Sequence, residues 1–299
     1  MALTLNEVTK SFGGTEAVRG LSLSIPEGEM FGMLGANGAG KTTTFRMIIG
    51  LLDPNSGSIE WNNQPLTYKE SGKVGYLPEE RGLYPKLKVA DQLIYLGKLR
   101  GMKKKDIVPK MRYWLERFQA EAYEQQKVEE LSKGNQQKIQ LIAAILHEPE
   151  LLILDEPFSG LDPLNVEILK KAVVELKENG TTIIFSSHRM EHVEEMCEHL
   201  CILHKGEPVV GGHIREIKQN FGRKYLVIEA EFDCSFIKTM DGVLAVEERA
   251  NGLRLEIRDE ETAEHIFEAL QGCGRVRRFS LEDPSLNDIF IAKVGASYA

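Results

Sequence analysis

The sequence predicts an α/β fold: a mostly parallel sheet core with an antiparallel β subdomain and a helical insertion, followed by a small α+β domain. Three observations carry this. MFGMLG, LLILD and TTIIFSS are near-continuous apolar runs, as strands buried on both faces of a parallel sheet are. Between the second and third lies a helical pattern, PLNVEILKKAVVELKENG, with Pro163 near its start and Gly180 just past its end, which completes a βαβ unit. After Gly222 the pattern changes to short strands and helices with a hairpin signal among them.

In chain order, LTLNEV and LSLSI alternate apolar and polar residues, as half-exposed antiparallel strands do. PEGE turns the chain into MFGMLG. Residues from about 86 to 147 interrupt the strand and helix alternation with three helix-like segments: VADQLIYLGKLRG, a lysine-rich stretch around MRYWLERF, and the one opened by LSKGN. The insertion's charge run (Lys98, Arg100, Lys103, Lys104, Lys105, Lys110, Arg112) reads as a solvated helix face, with a membrane leaflet or partner surface as the alternative. In the last part, RKYLVIEAE reads as a strand and CSFIKTM as a short helix. VLAVEERANGLRLEIRD holds two strands around an Asn-Gly turn, ETAEHIFEALQG a helix, VRRFSLE a strand and SLNDIFIAK a helix. That is the β-α-β-β-α-β order of a ferredoxin-like domain. The expected division is 1–218 and 222–299, the second part being a packing or dimerisation module without a cluster of catalytic residue types.

A chain of 299 residues has room for two cores, and 42% hydrophobic with 27% charged residues is an ordinary globular composition. The net charge of −8 argues against nucleic acid as the principal ligand. MALTLNEVTK lacks the charged and apolar regions of a secretory signal, and no apolar run reaches the roughly 18 residues a membrane span requires. The expected location is therefore the cytosol. Cys197, Cys201, Cys234 and Cys273 make no disulfide framework in a chain this size. His192, Cys197, Cys201 and His204 contain no tight CxxC pair, so buried thiols and surface histidines are expected there rather than a zinc site.

The chemistry concentrates at the ends of the buried strands. After MFGML, the stretch Gly35-Ala36-Asn37-Gly38-Ala39-Gly40-Lys41-Thr42 fits GxxxxGK[ST] and opens through Thr43 into a helix. Its glycines let backbone N–H groups wrap phosphate oxygens, and the helix N-terminus adds partial positive charge. Lys41 is placed to reach β- and γ-phosphates, and the Thr42 hydroxyl to ligate Mg²⁺. LLILDEP presents Asp155 at a strand's carboxyl end, where α/β sheets hold ligands. Asp155 is expected in the Mg²⁺ shell, and Glu156 is the candidate to orient or deprotonate an attacking water. A helix cap would use the same pair, but capping does not need the apolar lead-in. His188 ends the third run; it lies four residues from His192, and HRMEH lacks the glutamate of HExxH.

Taken together, these motifs closely resemble the ATP-binding subunits of ABC transporters over roughly residues 1 to 218. GANGAGKT looks like the Walker A motif and LLILDE like Walker B. SGLD, Ser159-Gly160-Leu161-Asp162, looks like the D-loop, and His188 matches the switch histidine. Phe12 in KSFGGTEAV is similar to the family's adenine-stacking aromatic, with Val18 as its companion, although Phe12 alone reads as a core or turn aromatic. LSKGNQQK occupies the place of the family signature, and its Ser132, Lys133, Gly134, Asn135 and Gln136 are implied to face ATP bound by a second subunit. Lys133 replaces a family glycine and Asn135 a glutamine, yet the hydroxyl and the free N–H groups at a helix N-terminus remain. Glu79 stands where the family carries glutamine, and its charge suits a cation.

The resemblance implies the P-loop NTPase fold, with ATP and Mg²⁺ as cofactors and a homodimer or pseudo-symmetric dimer. It also implies a separate transmembrane permease subunit docked near Glu79, at the cytoplasmic face of the membrane. YLPEERGLYP, LSKGNQQK and the C-terminal appendage most resemble ABC-2-type exporters, with sodium-extrusion and drug-efflux subunits the nearest kin. The rival is an ATPase of the same fold acting on nucleic acid or ribosomes. Such relatives carry a long coiled coil between the two motifs or two cassettes per chain, neither of which is present. A small-molecule kinase would leave LSKGN and SGLD without a task.

Overall fold

The computed structural model describes residues 3–66, 72–80 and 82–295. Its contacts divide the chain into Met1–Gly212 and His213–Ala299. In the first unit, β1 (Leu3–Phe12), β2 (Thr15–Ile25), β4 (Ser56–Trp61) and β5 (Gln64–Pro65) form an antiparallel sheet of order β2-β1-β4-β5. A second sheet takes β3 (Met30–Leu34), β6 (Val74–Leu77), β7 (Leu151–Leu154), β8 (Thr182–Ser187), β9 (His199–His204) and β10 (Glu207–His213) in the order β10-β9-β3-β8-β7-β6. From β9 to β6 every pairing is parallel.

All residues of β3, β7 and β8 are buried, as their apolar runs require. Leu3, Val18 and Trp61 of the antiparallel sheet share one core with Met33, Ile153 and Ile184 of the parallel sheet. Phe45 and Ile48 of α1 (Lys41–Ile48) enter the same core. The expected helical insertion supplies α2 (Val89–Leu99), α3 (Lys104–Arg117) and α4 (Lys133–Ile145). α5 (Pro163–Glu178) follows β7, and α6 (Met190–Met196) follows β8. Because β3, β8 and β7 are neighbours in the sheet, their carboxyl ends bring three distant stretches of sequence to one place.

The second unit begins before Gly222. α7 (Ile214–Phe221) groups with it because its contacts run to the last helix, α9 (Leu286–Val294). β11 (Lys224–Ala230), β12 (Val243–Arg249), β13 (Gly252–Ile257) and β14 (Val276–Glu282) form an antiparallel sheet of order β12-β13-β11-β14. A 3₁₀ turn at Ser235–Thr239 and α8 (Glu260–Leu270) complete the expected β-α-β-β-α-β order.

The hairpin differs from expectation in one respect. Arg249 pairs with Gly252, so Ala250 and Asn251 make the turn and Gly252 belongs to the strand. A Cβ on Gly252 would lie 1.9 Å from the Ile228 carbonyl oxygen, so close strand packing, not turn geometry, demands glycine here. Gly252→Val is expected to destabilise the second unit by about 1–3 kcal/mol or more. A denaturant midpoint equal to wild type would contradict this packing.

Candidate functional site

The loop after β3 is shaped by residues that tolerate no side chain. Gly35 has φ +151° and Gly40 φ +107°. An added Cβ would lie 2.5 Å from the Leu203 carbonyl oxygen at the first and 2.5 Å from the Ala17 carbonyl oxygen at the second. Gly38 also has positive φ, and the Ala39 N–H donates to Ala36 O at 3.0 Å, closing the loop before α1. The Lys41 ammonium curls back into this loop and donates to Gly35 O at 2.6 Å and Ala36 O at 3.3 Å. Burial pushes the Lys41 pKa down, and the charges of Glu156, Asp155 and Glu79 push it back up.

The carboxylates stand at the end of β7. Asp155 accepts from the Thr42 hydroxyl at 2.7 Å and from the Ser186 hydroxyl at 2.6 Å, and its own N–H donates to Leu77 O at 2.8 Å. Glu156 takes φ +52°, a left-handed conformation unusual for a glutamate, and its N–H donates to Ser186 Oγ at 3.0 Å. One of its carboxylate oxygens lies 2.8 Å from His188 Nδ1. The other is buried without a hydrogen-bond partner. Burial raises the Glu156 pKa, against which His188 and Lys41 lower it. Ser186 was hidden in the sequence because it reads as one more residue of a buried strand; the signal was a pair of serines immediately before His188.

The other predicted residues sort into two groups. Lys41, Thr42, Asp155, Glu156 and His188 converge at the strand ends, with Thr43 half-buried beside them and Asn37 exposed on the loop. Phe12 is exposed at the end of β1, with Lys10 Nζ 5.4 Å from its ring centroid. Val18 is fully buried, its side chain 3.5 Å from where a Cβ on Gly40 would stand, so it supports the loop from beneath and exposes no surface. Glu79 is exposed after β6.

Ser132 caps α4 by accepting from the Asn135 N–H at 3.3 Å, and it stands exposed beside the exposed Lys133. Gly134 is buried, and Gln136 spans back to Val128 O and Leu131 O at 3.1 Å each. Ser159, with its N–H on Glu156 O, and Gly160 are exposed. Leu161 is half-buried, and Asp162 caps α5 by accepting from the Asn165 N–H at 3.0 Å. His192, expected at the surface, is instead buried: its ring meets Phe158 edge-on with centroids 5.0 Å apart, on the inner face of α6. Cys197 and Cys201 are buried free thiols as expected, and His204 is half-buried.

Comparison with known proteins gives the family. The ABC transporter family profile matches residues 18–159. The ABC transporter ATP-binding protein YhaQ of Bacillus subtilis (strain 168) is 61% identical over 296 residues, covering 99% of either chain. The chain belongs to the ATP-binding subunits of ABC transporters. Residues 212–294 match the C-terminal domain of DrrA1-3-like ATP-binding proteins. The Nod factor export ATP-binding protein I of Cupriavidus metallidurans is 30% identical over 305 residues, covering 98% of this chain and 97% of its own. A solved ATP-binding subunit of an ABC transporter superposes with a TM-score of 0.70 at 31% identity, covering 74% of this chain and 94% of the other.

This ABC subunit is therefore an ATPase of the P-loop fold and the motor subunit of a transporter. Its relatives are named as ATP-binding proteins of ABC transporters. The site offers a cation and N–H donors for phosphate, hydroxyl and carboxylate oxygens for a hard metal, and a histidine-oriented carboxylate for a proton. A carboxylate accepts a proton only when ionised, so a catalytic role for Glu156 would make turnover fall as pH drops through its pKa. Removing a group that lowers that pKa should shift the fall upward. In His188→Ala the acid limb of the hydrolysis pH profile is expected at higher pH than in wild type; an unmoved limb would separate His188 from Glu156.

Proposed function

We propose that this ATPase drives an exporter as a dimer in which each ATP is held between the phosphate loop of one chain and Ser132 of the other. The observation that carries this reading is an exposed, serine-capped helix start in a chain whose strand-end groups are knit to one another. Lys41, Thr42, Asp155, Glu156 and His188 are knit together by contacts at the strand ends. Ser132, by contrast, stands exposed at the N-terminus of α4, its bond spent on its own helix. A serine hydroxyl and helix N-terminal N–H groups are donors suited to a terminal phosphate, and a second chain is what would present them.

Thr42 and Asp155, 2.7 Å apart through hard oxygens, fit Mg²⁺, with Glu79 as a further carboxylate toward it. When bound, Mg²⁺ supplies charge neutralisation on the β- and γ-phosphate oxygens. Lys41 is held ready to turn from the loop carbonyls to those oxygens. Glu156 takes the proton of the water whose oxygen bonds to the γ-phosphorus, as the bond to the β–γ bridging oxygen breaks and ADP leaves. His188 orients Glu156 through its Nδ1 contact and faces the developing charge. Phe12 offers its exposed face to the base.

No described helix is long and apolar enough to cross a membrane; on this reading the translocation path lies in a separate subunit, at whose cytoplasmic face this one would sit. A cavity of about 840 Å³ supports a docking place beside the Glu79 loop. Leu51, Tyr76, Leu83, Leu96 and Leu99 line it, with Leu51 59% and Leu99 65% exposed. An apolar turn of the membrane subunit fits such a groove. Export as the direction draws support from the export relative named above, which matches both parts of the chain.

Glu156→Gln is expected to retain ATP and form a stable dimer while turnover falls by a factor of about 10² or more; phosphate release near the wild-type rate would remove Glu156 from its role. Leu99→Asp is expected to leave hydrolysis by the isolated subunit unchanged and to abolish co-purification with a polytopic membrane protein. Retained co-purification, or RNA or DNA in its place, would overturn the docking assignment.

A further inference from the structure

α4 carries two buried amides three residues apart, on one face of the helix. Gln137 is 5% exposed, and its Nε2 donates to the Pro157 carbonyl oxygen at 3.2 Å. Gln140 is also 5% exposed, and its Nε2 donates to Pro78 O at 3.3 Å and to Glu80 O at 3.2 Å. Pro157 follows Glu156 directly, and Pro78 and Glu80 bracket Glu79. The two amides therefore grip the main chain just after Glu156 and on either side of Glu79.

Other groups on α4 seat it against the same region. A Cβ on Gly134 would lie 3.0 Å from Asn165 Nδ2, whose residue holds the Asp162 cap. Lys138 is buried beside them, and Asp162 is the charge that opposes the lowering of its pKa by burial. Gln140 also lines the apolar groove under Glu79, and its Oε1 is buried without a hydrogen-bond partner. The middle of α4 thus meets the groove and the carboxylate loops, and its N-terminal end presents Ser132.

We propose that Gln137 and Gln140 are positioning residues, a two-point clamp through which α4 moves as one body with the Glu79 and Glu156 loops. The state of a chain's own phosphate site then sets where its Ser132 stands for the partner's ATP. This rests on the two-chain reading above. Removing a donor leaves the buried Pro157 carbonyl, or the part-buried Pro78 and Glu80 carbonyls, without that bond and frees the helix to shift, while the phosphate loop itself is untouched.

The test compares wild type with Gln137→Met, Gln140→Met and the double variant, as full-length protein, in steady-state hydrolysis, in ATP-driven dimerisation on the Glu156→Gln background, and in thermal unfolding. Methionine keeps the length and removes the donor. Each single variant is expected to lower kcat about tenfold with KM within about twofold, and to weaken the dimer. The double variant should fall little further than either single, because the two amides act as one clamp. Unchanged kcat with equal dimerisation in the variants overturns the clamp alone. So do losses that multiply in the double variant or simply follow the thermal midpoint. A Glu156→Gln protein that stays monomeric with ATP overturns the two-chain reading and the clamp with it.

Discussion

One constraint organises the first unit: a lysine ammonium and two carboxylates must be kept dry and close together. Lys41 is 7% exposed, Asp155 1% and Glu156 7%. Burying such groups is costly unless each finds partners of suitable charge or hydrogen-bonding capacity. Asp155 finds the Thr42 and Ser186 hydroxyls, and Lys41 finds two loop carbonyls. Glu156 is only half satisfied, through His188, and it sits in a left-handed conformation. The least comfortable residue is the one proposed to take the proton, a common pattern where strain and orphaned polar atoms collect at functional sites.

Much of this was legible in the sequence because the physics is local. A buried parallel strand must be an apolar run, so β3, β7 and β8 stand out without any knowledge of their neighbours. A loop that wraps phosphate must be rich in glycine, so Gly35, Gly38 and Gly40 announce it. What stayed hidden depends on the order of strands in space. Ser186 matters because β8 lies between β3 and β7, an adjacency that chain order does not reveal. His192 was misplaced for a related reason, since a short helix shows its inner face only once Phe158 is in position against it. The Asn251-Gly252 pair carried a turn signal, yet the glycine answers to the carbonyl of Ile228 on the next strand.

The helical insertion ties chemistry to assembly. α4 begins at an exposed serine cap, passes its buried amides across the two carboxylate loops, and ends among core residues such as Ile142 and Ile145. The apolar groove beside Glu79 lies against the same helix. On the proposed reading, a membrane subunit pushing there would have a short route through α4 to both Glu156 and Ser132. The lysine in LSKGN fits this arrangement: Lys133 is exposed on the first turn of α4 and leaves the packing of Gly134 undisturbed.

The central claim is that one phosphate is held by two chains, and complementation between two disabled proteins tests it most directly. Lys41→Ala removes the loop's cation, and Ser132→Arg blocks the serine-capped helix; each protein alone should hydrolyse ATP negligibly. Mixed in equal amounts, they should regain roughly a quarter of wild-type turnover, because half of randomly paired dimers would carry one intact site of two. A mixture as inactive as its parents, or full turnover by Ser132→Arg alone, would contradict the account.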